Sequence, residues 1–203
     1  MNLFIILKTL ENNFSLQSKT DKLSREFYLR SDTLQIAQDL LGKLLVVPDE
    51  SGKRVSGMIV ETEAYLGEID KAAHSYKGRR TPRNEITYQM GGYAYVFFIY
   101  AENYPHAVLI RALEPIENIG KMRQRRGKMP DKNLTSGPGK LCIALDIKRE
   151  LNEADLCGEK IWIEYYRTFP KTQIINSKRI GINYAAEFAD KPWRFFIKNN
   201  PFI

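Results

Sequence analysis

The stretch Arg54 to Tyr65 constrains the fold of this chain most: it is long, rich in β-formers, and follows Lys43 to Val47 across the cluster Pro48-Asp-Glu-Ser-Gly52. Two β-prone runs around such a turn define a hairpin, because Pro and Gly supply the backbone angles that reverse the chain. Two further β-prone runs, Tyr93 to Tyr100 and His106 to Leu113, stand either side of a short connection containing Pro105 and are expected to pair antiparallel. Lys160 to Tyr166 and Trp193 to Ile197 read as additional strands.

Helices are fewer. Ser31-Asp32 followed by Leu34, Ile36, Ala37, Leu40, Leu41 and Gly42 combines an N-cap, helical apolar spacing and a terminating glycine. Ile116 to Arg126 reads as a basic helix, and Ser136 to Leu145 as a helix with a Gly/Pro-rich start. The expected architecture is therefore α+β: a single domain with a curved, mainly antiparallel β-sheet and surrounding helices. A chain of 203 residues, 43% apolar and 27% charged, fits one such domain with a real core.

Domain bounds follow from the N-terminus. The run Leu3 to Leu7 is too short to cross a bilayer and lacks a signal peptide's basic start and cleavage site. Residues 1–22 are expected to form a poorly ordered or loosely packed extension, and residues 23–203 the domain. No membrane partner and a cytoplasmic location are expected with them.

Lys and Arg number 31 against 24 acidic residues, a formal charge of +7. An excess of that size suits a phosphate-rich partner but equally a basic protein without one, so distribution has to decide. The two cysteines, Cys142 and Cys157, and the two histidines, His74 and His106, cannot supply the ligand spacing of a zinc finger, an iron-sulfur cluster or a zinc deaminase. No metal and no organic cofactor is expected.

Four segments carry chemistry. In Ile59-Val-Glu-Thr-Glu-Ala-Tyr65, alternation puts Glu61, Glu63 and Tyr65 on one strand face, where a carboxylate can take a proton from water and a ring can stack on a planar substrate; a solvated edge strand would look the same. His74 is followed by Lys77, Arg79, Arg80 and Arg83 around Thr81-Pro82, a loop suited to phosphates or simply to solvent. Tyr93 to Tyr100 holds five aromatics, either core or a stacking platform with Tyr100 at its end as a wedge between base pairs. Ser136-Gly-Pro-Gly-Lys140 opens a helix and could hold an anion, although the phosphate-loop spacing is absent and an ordinary helix start fits equally.

Taken in order, these segments resemble the alkyladenine (3-methyladenine, or methylpurine) DNA glycosylase family. The matching pieces are Ala37-Gln-Asp-Leu-Leu-Gly-Lys43, Val60-Glu-Thr-Glu-Ala-Tyr-Leu-Gly67, Ala72-Ala-His-Ser75, Arg80-Thr-Pro-Arg-Asn84, Tyr95-Val-Phe-Phe-Ile-Tyr100, Val108-Leu-Ile-Arg-Ala-Leu-Glu-Pro115, the basic run Met122 to Arg126, Ser136-Gly-Pro-Gly-Lys-Leu141 and Arg179-Ile-Gly-Ile182. The resemblance implies a monofunctional enzyme that flips an alkylated purine from double-stranded DNA and hydrolyses its N-glycosidic bond, acting as a monomer. It implies Glu63 as the general base for water and Arg111 as an aid in positioning nucleotide and water. Tyr65, His74 and Phe97 would line the base pocket. Tyr100 would be the wedge, with Arg79, Arg83, Arg126 and Lys140 toward the DNA. No lysine occupies the implied nucleophile position, so no strand cleavage is expected.

The chain departs from the family pattern twice. Phe97 stands where many relatives have tyrosine, keeping the ring and losing a hydroxyl. After Tyr100, the segment Ala101-Glu-Asn-Tyr-Pro105 closes directly onto the next strand, where relatives have a glycine and a longer stretch with a pocket asparagine; Asn103 is no assured replacement. The alternative implied by that gap is a damaged-DNA-binding member with impaired catalysis.

Overall fold

The computed structural model describes residues 3–7, 22–82, 84–88, 91–96 and 105–203. The expected hairpin is its spine: β2 (Leu44–Pro48) and β3 (Arg54–Leu66) pair antiparallel, with Val46 opposite Ser56. The other strands are β1 (Leu3–Leu7), β4 (Ala94–Val96), β5 (His106–Glu117), β6 (Trp162–Glu164), β7 (Ile174–Ser177) and β8 (Arg194–Ile197). Among the described residues all the ladders are antiparallel, and the main path runs β4-β1-β5-β3-β2-β6, an open sheet.

Because β3 outruns β2, its far half is left to another partner. There β8 takes the same edge, with Thr62 opposite Phe195, and β7 pairs with β8. Between β3 and β5 the register slips three times: Ser56 faces Glu117 but Gly57 faces Pro115, and further on Ile59 faces Leu113, Glu61 faces Ala112 and Thr62 faces Ile110. Val60 and then Arg111 are thus the extra residues of two opposed bulges, a device that re-aims side chains while restoring the ladder beyond it.

The main core lies on one face of the sheet. Val60, Ala64, Val108, Ile110 and Ala112 pack there with Tyr28 of α1 (Arg25–Tyr28), with Ile36 and Ala37 of α2 (Thr33–Asp39) and its C-cap Leu40, and with Leu141, Cys142 and Leu145 of α4 (Pro138–Leu145). The N-cap read from the sequence is present, as the Asp32 side chain accepts the Gln35 amide. At the other end Gly42 has φ +84°, and a Cβ there would fall 2.6 Å from the Arg167 carbonyl oxygen, so only glycine fits. On the opposite face a smaller cluster joins Tyr65, Ala107 and Leu109 to Ala72, Ile86, Ile182 and Ala185. Alternation along β3 and β5 therefore separates a structural face from a face covered by loops.

Three expectations change. Residues 3–7 are not a loose extension: they form β1, whose Ile5 stands opposite both Ala94 and Val108, and Lys22 bridges Glu164. For the same reason β4 and β5 do not pair directly; an apolar strand supplies both with ladder partners, as a strand inside a sheet must. The helix expected from Ile116 begins later, as α3 (Ile119–Arg126), because β5 runs on to Glu117 and Asn118 turns left-handed at φ 55°.

The inserted strand is open to test. Ile5→Pro removes a ladder donor in mid-strand, and amide exchange at Ala94–Val96 is expected to accelerate strongly while the β2–β3 amides stay protected. Unchanged protection at Ala94–Val96 would show that β1 is not their partner.

Candidate active site

Glu63 is the centre of the loop-covered face. It is fully buried, a costly position for a carboxylate unless its charge and lone pairs are met. Both oxygens are engaged: the Ile180 backbone N–H donates to Oε1 at 2.8 Å, and the Tyr65 hydroxyl donates to Oε2 at 2.8 Å. Arg111 Nη1 lies 3.4 Å from the same Oε1. Acceptance on both oxygens beside a cation is the environment of an ionised carboxylate.

Glu61 shares this charge cluster. Its Oε1 accepts from Arg111 Nε at 3.2 Å and from Arg194 Nη1 at 2.7 Å, so two guanidiniums face two carboxylates. Arg111 can bridge both acids because the β5 bulge falls on it. Burial pushes the Glu63 carboxyl above its usual range, and nearby Glu61 adds to that; Arg111, the Ile180 amide and the Tyr65 hydroxyl act in the opposite direction. Tyr65 is held well above the usual phenol range, chiefly by burial and then by Glu63, and so stays a neutral donor.

The loop carrying His74 is fastened to this centre from below. Asp70 accepts the Leu66 and Ala72 amides and forms a two-pronged pair with Arg179, at 2.5 and 2.8 Å. Arg179 in turn donates to the Ala64 carbonyl at 2.9 Å and stacks on the Tyr65 ring, 4.6 Å from its centroid. Ala72 and Ala73 pack with Tyr65, which brings the half-buried His74 into the same neighbourhood by chain continuity.

The basic residues separate into two groups. Lys77, Arg79 and Arg80 are exposed on a turn locked by buried Asn84, which accepts from the Thr81 amide and donates to the Arg79 carbonyl. Arg126 instead donates to the carbonyls of Leu134 and Asn133, and Lys140 to the Ser136 hydroxyl. Ser136 forms a bridge with Ala112, so this segment runs beside the Arg111 strand. Phe97, Tyr100, Arg83 and Asn103 lie outside the described residues.

The structure thus brings Glu63, Tyr65 and Arg111 into one bonded cluster and sets His74 near it. Sequence reasoning left Asp70, Arg179, Arg194 and the Ile180 amide without roles. Arg179 stood inside a noted motif, and Asp70, two residues after Glu68, belonged to none; only tertiary contact joins them.

Comparison with known proteins gives this site its context. The family model for methylpurine-DNA glycosylase matches residues 26–201. A relative from Clostridium novyi is 46% identical over 201 residues, covering 90% of this chain and 98% of its own. Others from Alkaliphilus oremlandii and Clostridium acetobutylicum are 48% and 49% identical, covering 90% and 88% of this chain and 98% and 95% of theirs. All three bear the name "Putative 3-methyladenine DNA glycosylase". Each alignment spans more positions than the part of this chain it takes in, so the relatives carry residues that this chain lacks inside the matched region. The matches define the class as DNA glycosylases, hydrolases of N-glycosyl bonds. The chain belongs to the methylpurine-DNA glycosylase family, and its substrate is DNA.

The electrostatics of Glu63 predict a pH signature in stability. A raised carboxyl pKa means the folded state binds that proton more tightly than the unfolded chain, so this contribution to stability is complete below the ordinary value of 4.5 and is lost as pH rises through the raised one. Relative to Glu63→Gln, the unmodified protein is therefore expected to lose stability between acid and neutral pH in urea unfolding. A gain over that interval would mean that Arg111 and the Ile180 amide outweigh burial.

Proposed function

We propose that this protein excises alkylated purines, 3-methyladenine among them, by flipping the nucleotide out of duplex DNA and hydrolysing its N-glycosidic bond with water. The observation that carries the reading is the fully buried Glu63, held at both oxygens and set against Arg111. Burial makes it a stronger base than an exposed carboxylate, and its bonds hold it in one orientation while it takes the proton from water attacking C1′. Arg111 positions nucleotide and water from the neighbouring strand.

An alkylated purine that already carries positive charge leaves readily and is favoured by stacking on electron-rich rings. Tyr65 and His74 form facing walls of the pocket, and Phe97 adds a third contact. Tyr100 fills the gap left in the duplex. Exposed Arg79, with Lys77 and Arg80 beside it, and Arg83 meet the phosphates; Arg126 and Lys140 do so only by exchanging their present bonds. Water is the nucleophile and no lysine takes its place, so the DNA strand is not cut. The enzyme acts as a monomer in the cell interior, since one domain meets one lesion. The alternative of a catalytically impaired binding protein gains no support from a charge cluster this complete.

Methylated duplex DNA incubated with the protein is expected to release free 3-methyladenine, detected by chromatography. Glu63→Gln should lose release by about 10²-fold or more while keeping lesion-DNA binding. Tyr100→Ala should weaken lesion-specific binding. Release should rise on the acid side with a midpoint above the ordinary glutamate value, because the base must be ionised. Binding without release by the unmodified protein would instead establish the impaired form.

A further inference from the structure

We propose that Arg179 is a positioning residue for base excision, locking the pocket ring Tyr65 and the carboxylate of Glu63 into one rigid unit. The inference rests on the roles given above to Tyr65 and Glu63 and adds the part that holds them. Arg179 and Asp70 are both buried, and their pairing is two-pronged. The guanidinium lies between two rings, 4.6 Å from the centroid of Tyr65 and 5.0 Å from that of Trp193. It also donates to the carbonyls of Ala64 and Phe188, one on β3 and one on the covering loop.

Two consequences follow for the reaction. With one face of Tyr65 occupied by the guanidinium, a flipped purine can stack only on the other, so Arg179 selects the ring face and sets its tilt. The next residue, Ile180, supplies the N–H that holds Glu63 Oε1 at 2.8 Å. Chain continuity therefore ties the carboxylate to the same anchor as the ring. Asp70 extends the unit to the His74 loop through the Leu66 and Ala72 amides.

Stability alone does not account for this arrangement. A buried ion pair is commonly no more stable than an apolar pair of similar volume. Here one donor, Arg179 Nε, is also buried without a hydrogen-bond partner among the described residues. Such a group calls for a reason beyond pair stability, and the hold it gives on Tyr65 and on Ile180 beside it supplies one.

The test compares Arg179→Lys and Asp70→Asn with the unmodified protein on methylated duplex DNA, with rates divided by the number of titrated lesion-binding sites. Both variants are expected to lose turnover per site, by about 10²-fold for a displaced ring and carboxylate. Their acid limb should move to higher pH, because a loosened Ile180 N–H removes a bond that favours ionised Glu63. Lowered thermal stability with unchanged turnover per site and an unchanged acid limb would overturn the proposal. Should neither variant fold, the unmodified protein is titrated by NMR at the Arg179 Nε–H and Ile180 N–H signals. Both are expected to shift with the Glu63 midpoint, and immobility of both would overturn the proposal. If the unmodified protein releases no purine, the excision reading falls first, and the NMR titration still decides the coupling.

Discussion

Charge placed inside a sheet must be met where it stands, and Glu61 and Glu63 bring two carboxylates onto the buried face of a central strand. Everything around them answers that demand. Arg111 arrives through a bulge on one neighbouring strand and Arg194 from the strand on the other edge. The Tyr65 hydroxyl and the Ile180 amide each donate to one oxygen of Glu63 and leave it a lone pair for a water. Removing one member of a buried pair costs about 3–5 kcal/mol, a large share of the stability of a domain this size. The cluster therefore holds the fold as well as the site.

The same accounting explains the division of labour between the two faces of the sheet. One face is apolar and closed by α2 and α4, and it holds the strands rigid. The other carries polar groups whose orientation is set by that rigidity, with loops as its cover. A site built on strands keeps its geometry better than one built on loops, which suits the proposed placing of water against one carbon atom.

Much of this was legible in the sequence. The hairpin, the capped helix ending at Gly42, and the shared face of Glu61, Glu63 and Tyr65 all follow from local patterns: turn residues, helical spacing and strand alternation. What stayed hidden was non-local. Leu3–Leu7 is too short an apolar run to announce a partner, so its place between β4 and β5 could not be read. Nor does alternation foresee a bulge, and only the bulge lets Arg111 touch both acids. The Asp70–Arg179 pair joins residues with no pattern in common, distant in the chain and visible only once folded. β7 was missed because Ile174–Ser177 is short and half polar.

The place of β1 bears on how the molecule reaches this state. Its strand leaves the ribosome before either of its partners, at residues 94–96 and 106–110, has been made. Until both exist it has no ladder to join, and the sheet cannot close that side. The charged centre waits longer still, because Ile180 and Arg194, which hold Glu63 and Glu61, are made well after Arg111 of β5. Competence to handle DNA would then appear only once Arg194 has been made rather than in stages.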